Sequence, residues 1–424
     1  MLSRKFSHIK FAFIAFIVEV PLLISFIWMM GSQSQPHFNV RQIAEWLINY
    51  EGGFVRRGLV GEILLKTTSS PHIFGTIYSL VFYSFFTYII LFILIYLKAK
   101  IKKWDVLAAA IVLQGGIFHM GTGNIFYTRK EGIFLVFFAT LALLYLQIQS
   151  CPDKHRNRWL TVFVASLLLI TPLMILMHEA YFFMGFPAAF LLLWVLCKEN
   201  LDVTFLRKVP LIYAVEAIGV FVVCSIHHGD ILVSQKIWES LSFANRLFLS
   251  PTAPYTPLGP IDSIGWSLSQ HLATIYAIFS TGGVFIWLFF IVGNFLSLAY
   301  IIASVSHSKD HLGAGQFLRL ILIGIATSST MFFIASDWGR WLGFMSNQSV
   351  ILIFIFAQSR LALSPEKNQV ILAIGKVVMR VGSGYMLVLG LIYGLLFQMP
   401  ECCVDYQHIF FPYKKYLVLL FSPN

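Results

Sequence analysis

Continuous apolar runs of about 20 residues, separated by short polar segments, recur from one end of the chain to the other. A helix of that length crosses roughly 30 Å of hydrocarbon while keeping every backbone group bonded within itself. The runs predict about eleven transmembrane helices, with a range of roughly nine to thirteen. They lie at approximately 8–30, 73–97, 106–121, 131–148, 159–177, 181–197, 209–226, 281–305, 317–335, 342–358 and 381–398. Transmembrane barrel strands alternate apolar and polar positions, and these runs do not. The fold class is therefore all-α and polytopic, with residues 1–424 forming a single transmembrane domain. Gly282 and Gly283 interrupt the stretch from Leu268 to Ser304, which leaves room for a re-entrant or broken helix ahead of its main span.

Three segments stand outside this pattern: a first external loop at 31–72, a long external loop at 227–271 and an external tail at 399–424. Within the first, Phe38 to Tyr50 reads as an amphipathic helix on the membrane surface. Phe38, Ile43, Trp46, Leu47 and Tyr50 face the interface, and Arg41, Gln42 and Glu45 face water. Gly52 and Gly53 break that helix, and a new one is expected from Phe54 to Leu65. In the long loop, the proline-rich run Ser250 to Pro260 cannot form a regular helix and predicts either an ordered cover over the external face or a passive connector.

Composition excludes a soluble domain: 58% of residues are hydrophobic, 16% are aromatic and the mean hydropathy is +0.79. The net charge of +11 follows from topology. Assigning loops alternately gathers Arg4, Lys5, Lys10, Lys98, Lys100, Lys102, Lys103, Lys154, Arg156 and Arg158 on one side, together with Lys198, Arg207, Lys208, Lys309, Arg319, Arg360, Lys367, Lys376 and Arg380. Basic residues are retained in the cytoplasm, so the N-terminus is expected there, and an odd number of spans puts the C-terminus outside. Anionic membrane lipids account for the charge with no need of nucleic acid.

The candidate chemistry lies on the other side. Arg56 and Arg57 follow the glycine break close to Glu51, and their planar donors beside a helix N-terminus suit a phosphate or pyrophosphate attached to a lipid. The alternative is that they snorkel to headgroups or pair with Glu51 and Glu62. Arg129, Lys130 and Glu131 open the fourth span, where an acid in the first turn is favoured by the helix dipole alone. His178 and Glu179 form a minimal turn after Pro172, suited to a general base or a sugar contact, or equally to a helix cap or a buried pair. Asp337 and Arg340 are three apart and share a helix face, so they either pair or serve a site. Trp338 beside them belongs to an interfacial aromatic belt or offers a ring to a sugar's C–H face. A single external pocket could collect all of these. His227-His228-Gly229-Asp230 has no third ligand at zinc-like spacing. Nucleotide-binding and hydrolase motifs are absent. No cofactor is called, and a divalent metal has no support in the sequence.

Many spans, an acid in the first external loop, an external amphipathic helix, basic residues for a lipid phosphate and a long external loop resemble the GT-C-type glycosyltransferases and O-antigen polymerases of bacterial envelopes. The family's paired acids in the first external loop are not matched. Glu51 has only Glu45 and Glu62 at a distance, which leaves Glu179 or Asp337 as substitutes. The resemblance implies a protein of the bacterial inner membrane acting at the periplasmic face in surface polysaccharide synthesis. A polyprenyl-(pyro)phosphate-linked sugar would be the donor, and a glycan or lipid-linked species the acceptor. Glu51, Glu179 and Asp337 would then be candidate bases, and Arg56, Arg57, Arg129, Lys130, His178, Arg340 and Trp338 would bind substrate. The alternative is a transporter or flippase of lipid-linked saccharides, which predicts charges through the depth of the bilayer rather than at one face.

Overall fold

Where the apolar runs are uninterrupted, the chain is helical. The computed structural model describes residues 40–101, 103–113, 129–200, 203–306, 311–359, 368–381, 384–397 and 399–400. The expected first span at 8–30, the far part of the 106–121 span and nearly all of the 399–424 tail lie outside the described residues.

Two short helices open the described chain, α1 (Val40–Ala44) and α2 (Gly58–Thr67), followed by α3 (Ile73–Lys98) and α4 (Trp104–Val112). Next come α5 (Glu131–Ser150), α6 (Asp153–Met177), α7 (Phe186–Glu199) and α8 (Val209–Ile226). The long loop contributes α9 (Ile231–Ser240) and α10 (Phe243–Leu249), and α11 (Leu268–Ser280) leads into α12 (Gly283–Ser306). The described chain ends with α13 (His311–Ala326), α14 (Trp338–Phe356), α15 (Gln369–Val381) and α16 (Gly384–Leu396).

Among the described residues, six helical stretches are long and apolar enough to cross a membrane: Ser70–Lys98, Glu131–Ser150, Asp153–Met177, Tyr181–Glu199, Val209–Ile226 and Gly283–Val305. Each matches an expected span. Their outward faces carry large apolar side chains such as Leu169, Leu211 and Phe285, which water would penalise and lipid accepts. This is the architecture of a multi-pass membrane protein. The predicted interruption at Gly282 is present: its φ of 74° is in the left-handed region that glycine adopts without a Cβ clash, and there α11 gives way to α12. The amphipathic helix α15 packs on α12 and α13 and was not predicted as an element.

Cross-chain contacts define two ends of the bundle. At one, Lys98 donates to the Gln147 side chain, Tyr145 donates to Glu199 at 2.7 Å and Ser359 donates to Glu199 at 2.7 Å. That brings together the C-terminal ends of α3, α5, α7 and α14. Their N-terminal ends therefore gather at the opposite end, with the C-terminus of α6 and the connection leaving α8.

The first external loop departs from expectation. Residues 40–50 do not form a surface amphipathic helix. Val40–Ala44 is helical, Glu45–Leu47 is a 3-10 turn, and every residue from Gln42 to Asn49 is buried. Ile43, Ala44, Trp46, Leu47 and Ile48 belong to the core, so the segment is inserted into the protein end rather than laid on it. Glu45, expected to face water, goes in with them. The helix expected from Phe54 begins four residues later, at Gly58. It packs so closely on the inserted segment that a Cβ on Gly61 would lie 1.9 Å from the Ile48 carbonyl oxygen, which only glycine avoids.

The long loop then folds over this insert. Asn49 donates to Ser240 at 2.9 Å, the Arg56 amide donates to the His227 carbonyl at 2.9 Å, and Ser70 and Ser242 share a hydrogen bond of 2.6 Å. Asp230 caps α9 through the Val233 amide, and Trp238 Nε1 donates to the Pro254 carbonyl at 2.8 Å, pinning the proline-rich run.

Candidate functional site

Five chain segments bring charge to the end of the bundle where Glu45 is buried. An ionised carboxylate removed from water needs compensating charge and donors, and Glu45 has two arginines and a histidine beside it. Arg129 Nη1 donates to its Oε2 at 2.8 Å, His178 Nε2 lies 2.9 Å from its Oε1, and Arg340 Nη2 lies 3.7 Å from the same oxygen. Burial pushes the Glu45 carboxyl up, but Arg340, His178 and Arg129 outweigh it and hold the group well below its ordinary value.

Glu179 anchors the second half of the cluster. Arg57 grips it from two sides, Nε donating to Oε2 at 2.9 Å and Nη2 to Oε1 at 2.5 Å, while Arg56 Nη1 lies 3.3 Å from Oε1. Burial again works against ionisation, and the two arginines with His178 again prevail. Arg340 closes the third part, donating to Glu131 with Nη2 and to Asp337 at 2.6 Å with Nη1.

His178 joins the two carboxylate sites. Its Nδ1 accepts the Ala180 amide at 3.1 Å, so the proton of the neutral ring sits on Nε2, facing Glu45. Burial and Arg57 push its pKa below the ordinary value, consistent with a neutral imidazole.

Lys130 is buried without a carboxylate in hydrogen-bond reach among the described residues. Its ammonium donates to the Arg57 carbonyl at 3.2 Å and the Met177 carbonyl at 3.3 Å. Met177 ends α6, so Lys130 satisfies one of the carbonyls a helix C-terminus leaves open and meets the negative end of its dipole. Burial brings its pKa down to about 8 against the pull of Glu45, Glu179 and Glu131. The Arg57 backbone, held by Lys130 at its carbonyl and by Glu179 at its side chain, has a φ of 69°. That left-handed conformation is costly for a residue with a Cβ and is sustained by the contacts around it.

The cluster is open at one edge. The side chains of Arg56, Arg57 and Asp337 are 20, 19 and 25% exposed, whereas Glu45 and Glu131 are 1% exposed. His271 of α11 stands near this rim, its pKa pushed down by burial, then by Arg56 and Arg57.

Arg56, Arg57, Arg129, Lys130, His178, Glu179, Asp337 and Arg340 are thus brought into one cluster. Two expected residues stand apart. Glu51 is exposed on the surface of the first loop, close enough to Lys66 to favour its charge, and makes no contact with the cluster. Trp338 is 5% exposed and packs against Phe279, Trp287 and Phe332 at ring-centre distances of 5.6–5.9 Å, so its faces are taken by other rings. Local pairing of Arg56 or Arg57 with Glu62 does not occur, since Glu62 accepts from Lys66 at 2.5 Å and from the Tyr50 amide at 3.0 Å. Sequence reasoning missed Glu45 as a cluster member, and it gave Glu131, which it placed at the external pocket, no role beyond the helix dipole. The signal was present at Glu45, an acid flanked by Ile43, Ala44, Trp46, Leu47 and Ile48 with no room for a wet face.

The fold and site together define an all-helical, multi-pass architecture with a buried ion-pair network at one end. No family model, curated protein or solved structure matches the chain. Among the described residues, no three His, Cys, Asp or Glu side chains come together as a metal site.

Proposed function

We propose that the protein is a membrane glycosyltransferase or polymerase of the bacterial inner membrane, using a polyprenyl-(pyro)phosphate-linked sugar at the periplasmic face. The observation that carries this reading is the open edge of the cluster. Two arginines, Arg56 and Arg57, and one carboxylate, Asp337, stay partly exposed at the end of a bundle whose flanks are apolar. A donor lipid would reach that edge from the bilayer, and its phosphate would find Arg56, whose Nε is buried with no partner.

The division of labour follows from the ion pairs. Glu179 is held well below its ordinary pKa by Arg57 and Arg56, which makes it a poor base and a good positioning group for both arginines. Asp337 has one oxygen on Arg340 and is the most exposed carboxylate of the cluster, which makes it the base of choice. The acceptor oxygen bonds to the anomeric carbon as the carbon–oxygen bond to phosphate breaks. Its proton passes to Asp337, and Arg56 with Arg57 takes up the charge developing on the departing phosphate. The long loop packed over the first would limit water, the competing acceptor.

The test is sugar transfer from a radiolabelled polyprenyl-phosphate donor by purified protein. Arg56→Ala and Asp337→Asn should each remove product while the protein still purifies as a folded species. Undiminished transfer by both variants would sink the proposal, and donor translocation across vesicles without transfer would favour a flippase.

A further inference from the structure

The opposite end of the bundle holds a feature the glycosyl-transfer reading does not use. Between α3, α5 and α6 runs a groove of about 650 Å³, lined by Leu94, Leu97, Thr140, Leu143, Leu144 and Trp159, with Lys98 and Gln147 at its polar end. Its size falls within the roughly 300–1,000 Å³ of pockets that take a small ligand. The walls suit an acyl chain. Lys98 donates to the neutral Gln147 amide and forms no ion pair with a carboxylate among the described residues. Arg156 stands three residues before Trp159 on α6 and shares its face, with the exposed Asp153 as its partner among the described residues at 3.6 Å. Lys100, Lys103, Lys154 and Arg158 belong to the same end of the bundle, after α3, ahead of α4 and at the start of α6.

We infer that this groove binds one anionic phospholipid, its acyl chain against Leu94, Leu97, Leu143 and Leu144 and its phosphate at Lys98. The half-buried Trp159 indole sits where interfacial aromatics lie, at headgroup level. A zwitterionic lipid would fill the same walls but gain nothing from the excess of cations. The inference rests on the membrane reading and is independent of sugar transfer.

The full chain is first shown to float with lipid vesicles, which tests membrane insertion separately. It is then delipidated in detergent and offered phosphatidylglycerol and phosphatidylcholine of identical acyl chains, with bound lipid read by native mass spectrometry. One phosphatidylglycerol should be retained in preference by about fivefold, the effect of one basic side chain at a membrane surface. Lys98→Gln should erase the preference but keep acyl binding, and Leu144→Trp should fill the groove and remove the bound lipid. Equal retention of the two lipids by a protein that floats, or an unchanged preference in both variants, would overturn the inference.

Discussion

At the Glu45 end of the bundle, four arginines (Arg56, Arg57, Arg129 and Arg340) meet four carboxylates (Glu45, Glu131, Glu179 and Asp337), mostly away from water. At the Lys98 end, cations outnumber acids, are partly or fully exposed and form few pairs among the described residues. The difference is one of dielectric. Charges at the wet end interact weakly and can be changed in number without harm, whereas in the buried end each has its partner dictated by desolvation. The arginines and carboxylates balance without Lys130, whose ammonium burial brings down to a pKa of about 8, so that its charge is shed only above physiological pH. A matched buried network holds its members at fixed positions, and a site that must present arginines to a phosphate needs that.

The sharpest way to break this contrast is Glu45→Gln. The variant keeps the shape but strips Arg129, Arg340 and His178 of a shared counter-charge. It should cost about 3–5 kcal/mol, the penalty for leaving a buried charge unpaired. Unfolding by denaturing detergent checks it, and a loss below about 1 kcal/mol would mean that water already reaches the cluster.

The next effect is a pH dependence. Lys130 falls to about 8 in the fold against an ordinary 10.5, so between those values the unfolded chain binds the proton and the folded chain does not. Stability should therefore rise with pH across that window, by about 3 kcal/mol for one such group, and Lys130→Met should flatten the rise. His178, also lowered, works in the same sense at lower pH: stability falls as acid drives the pH below the ordinary histidine value. Glu45 and Glu179 stabilise above the ordinary carboxylate pKa, and their contribution is lost as the pH drops through their lowered folded values.

Much of this end was legible in the sequence, and the reason can be traced residue by residue. Topology alone placed Arg57, Arg129, Glu179 and Arg340 on one side, and apolar periodicity fixed the ends of the helices that carry them. What periodicity could not supply was depth. Gln42 and Glu45 fit a wet helix face on a surface helix, yet the segment is inserted, because its apolar residues recur on every side and the arginines from 57, 129 and 340 wait beneath. Glu51 looked like the acid of the loop because it sits next to the glycines. Those glycines turn it outward, and the acid six residues earlier does the pairing. The break before α12 was visible because glycine marks it directly, whereas Trp338 looked the same in sequence whether its faces were open or filled.

A smaller effect separates side chain from backbone within the buried end. Arg57→Ala and Arg57→Gly both lose the grip on Glu179, but only glycine relaxes the φ of 69°. The glycine variant should be the more stable of the two by about 1 kcal/mol, and equal stabilities would show that the loop relaxes once the ion pair is gone.

The smallest effect belongs to the wet end and completes the contrast. Arg156→Ala removes a guanidinium whose carboxylate partner among the described residues, Asp153, is itself fully in solvent at 3.6 Å, so the pair's attraction is screened and its geometry loose. Stability should move by less than about 0.5 kcal/mol, and adding salt should change wild type and variant alike. A loss comparable to that of Glu45→Gln would mean that the Lys98 end is also held by its charges. The two ends would then differ in exposure but not in what keeps them folded.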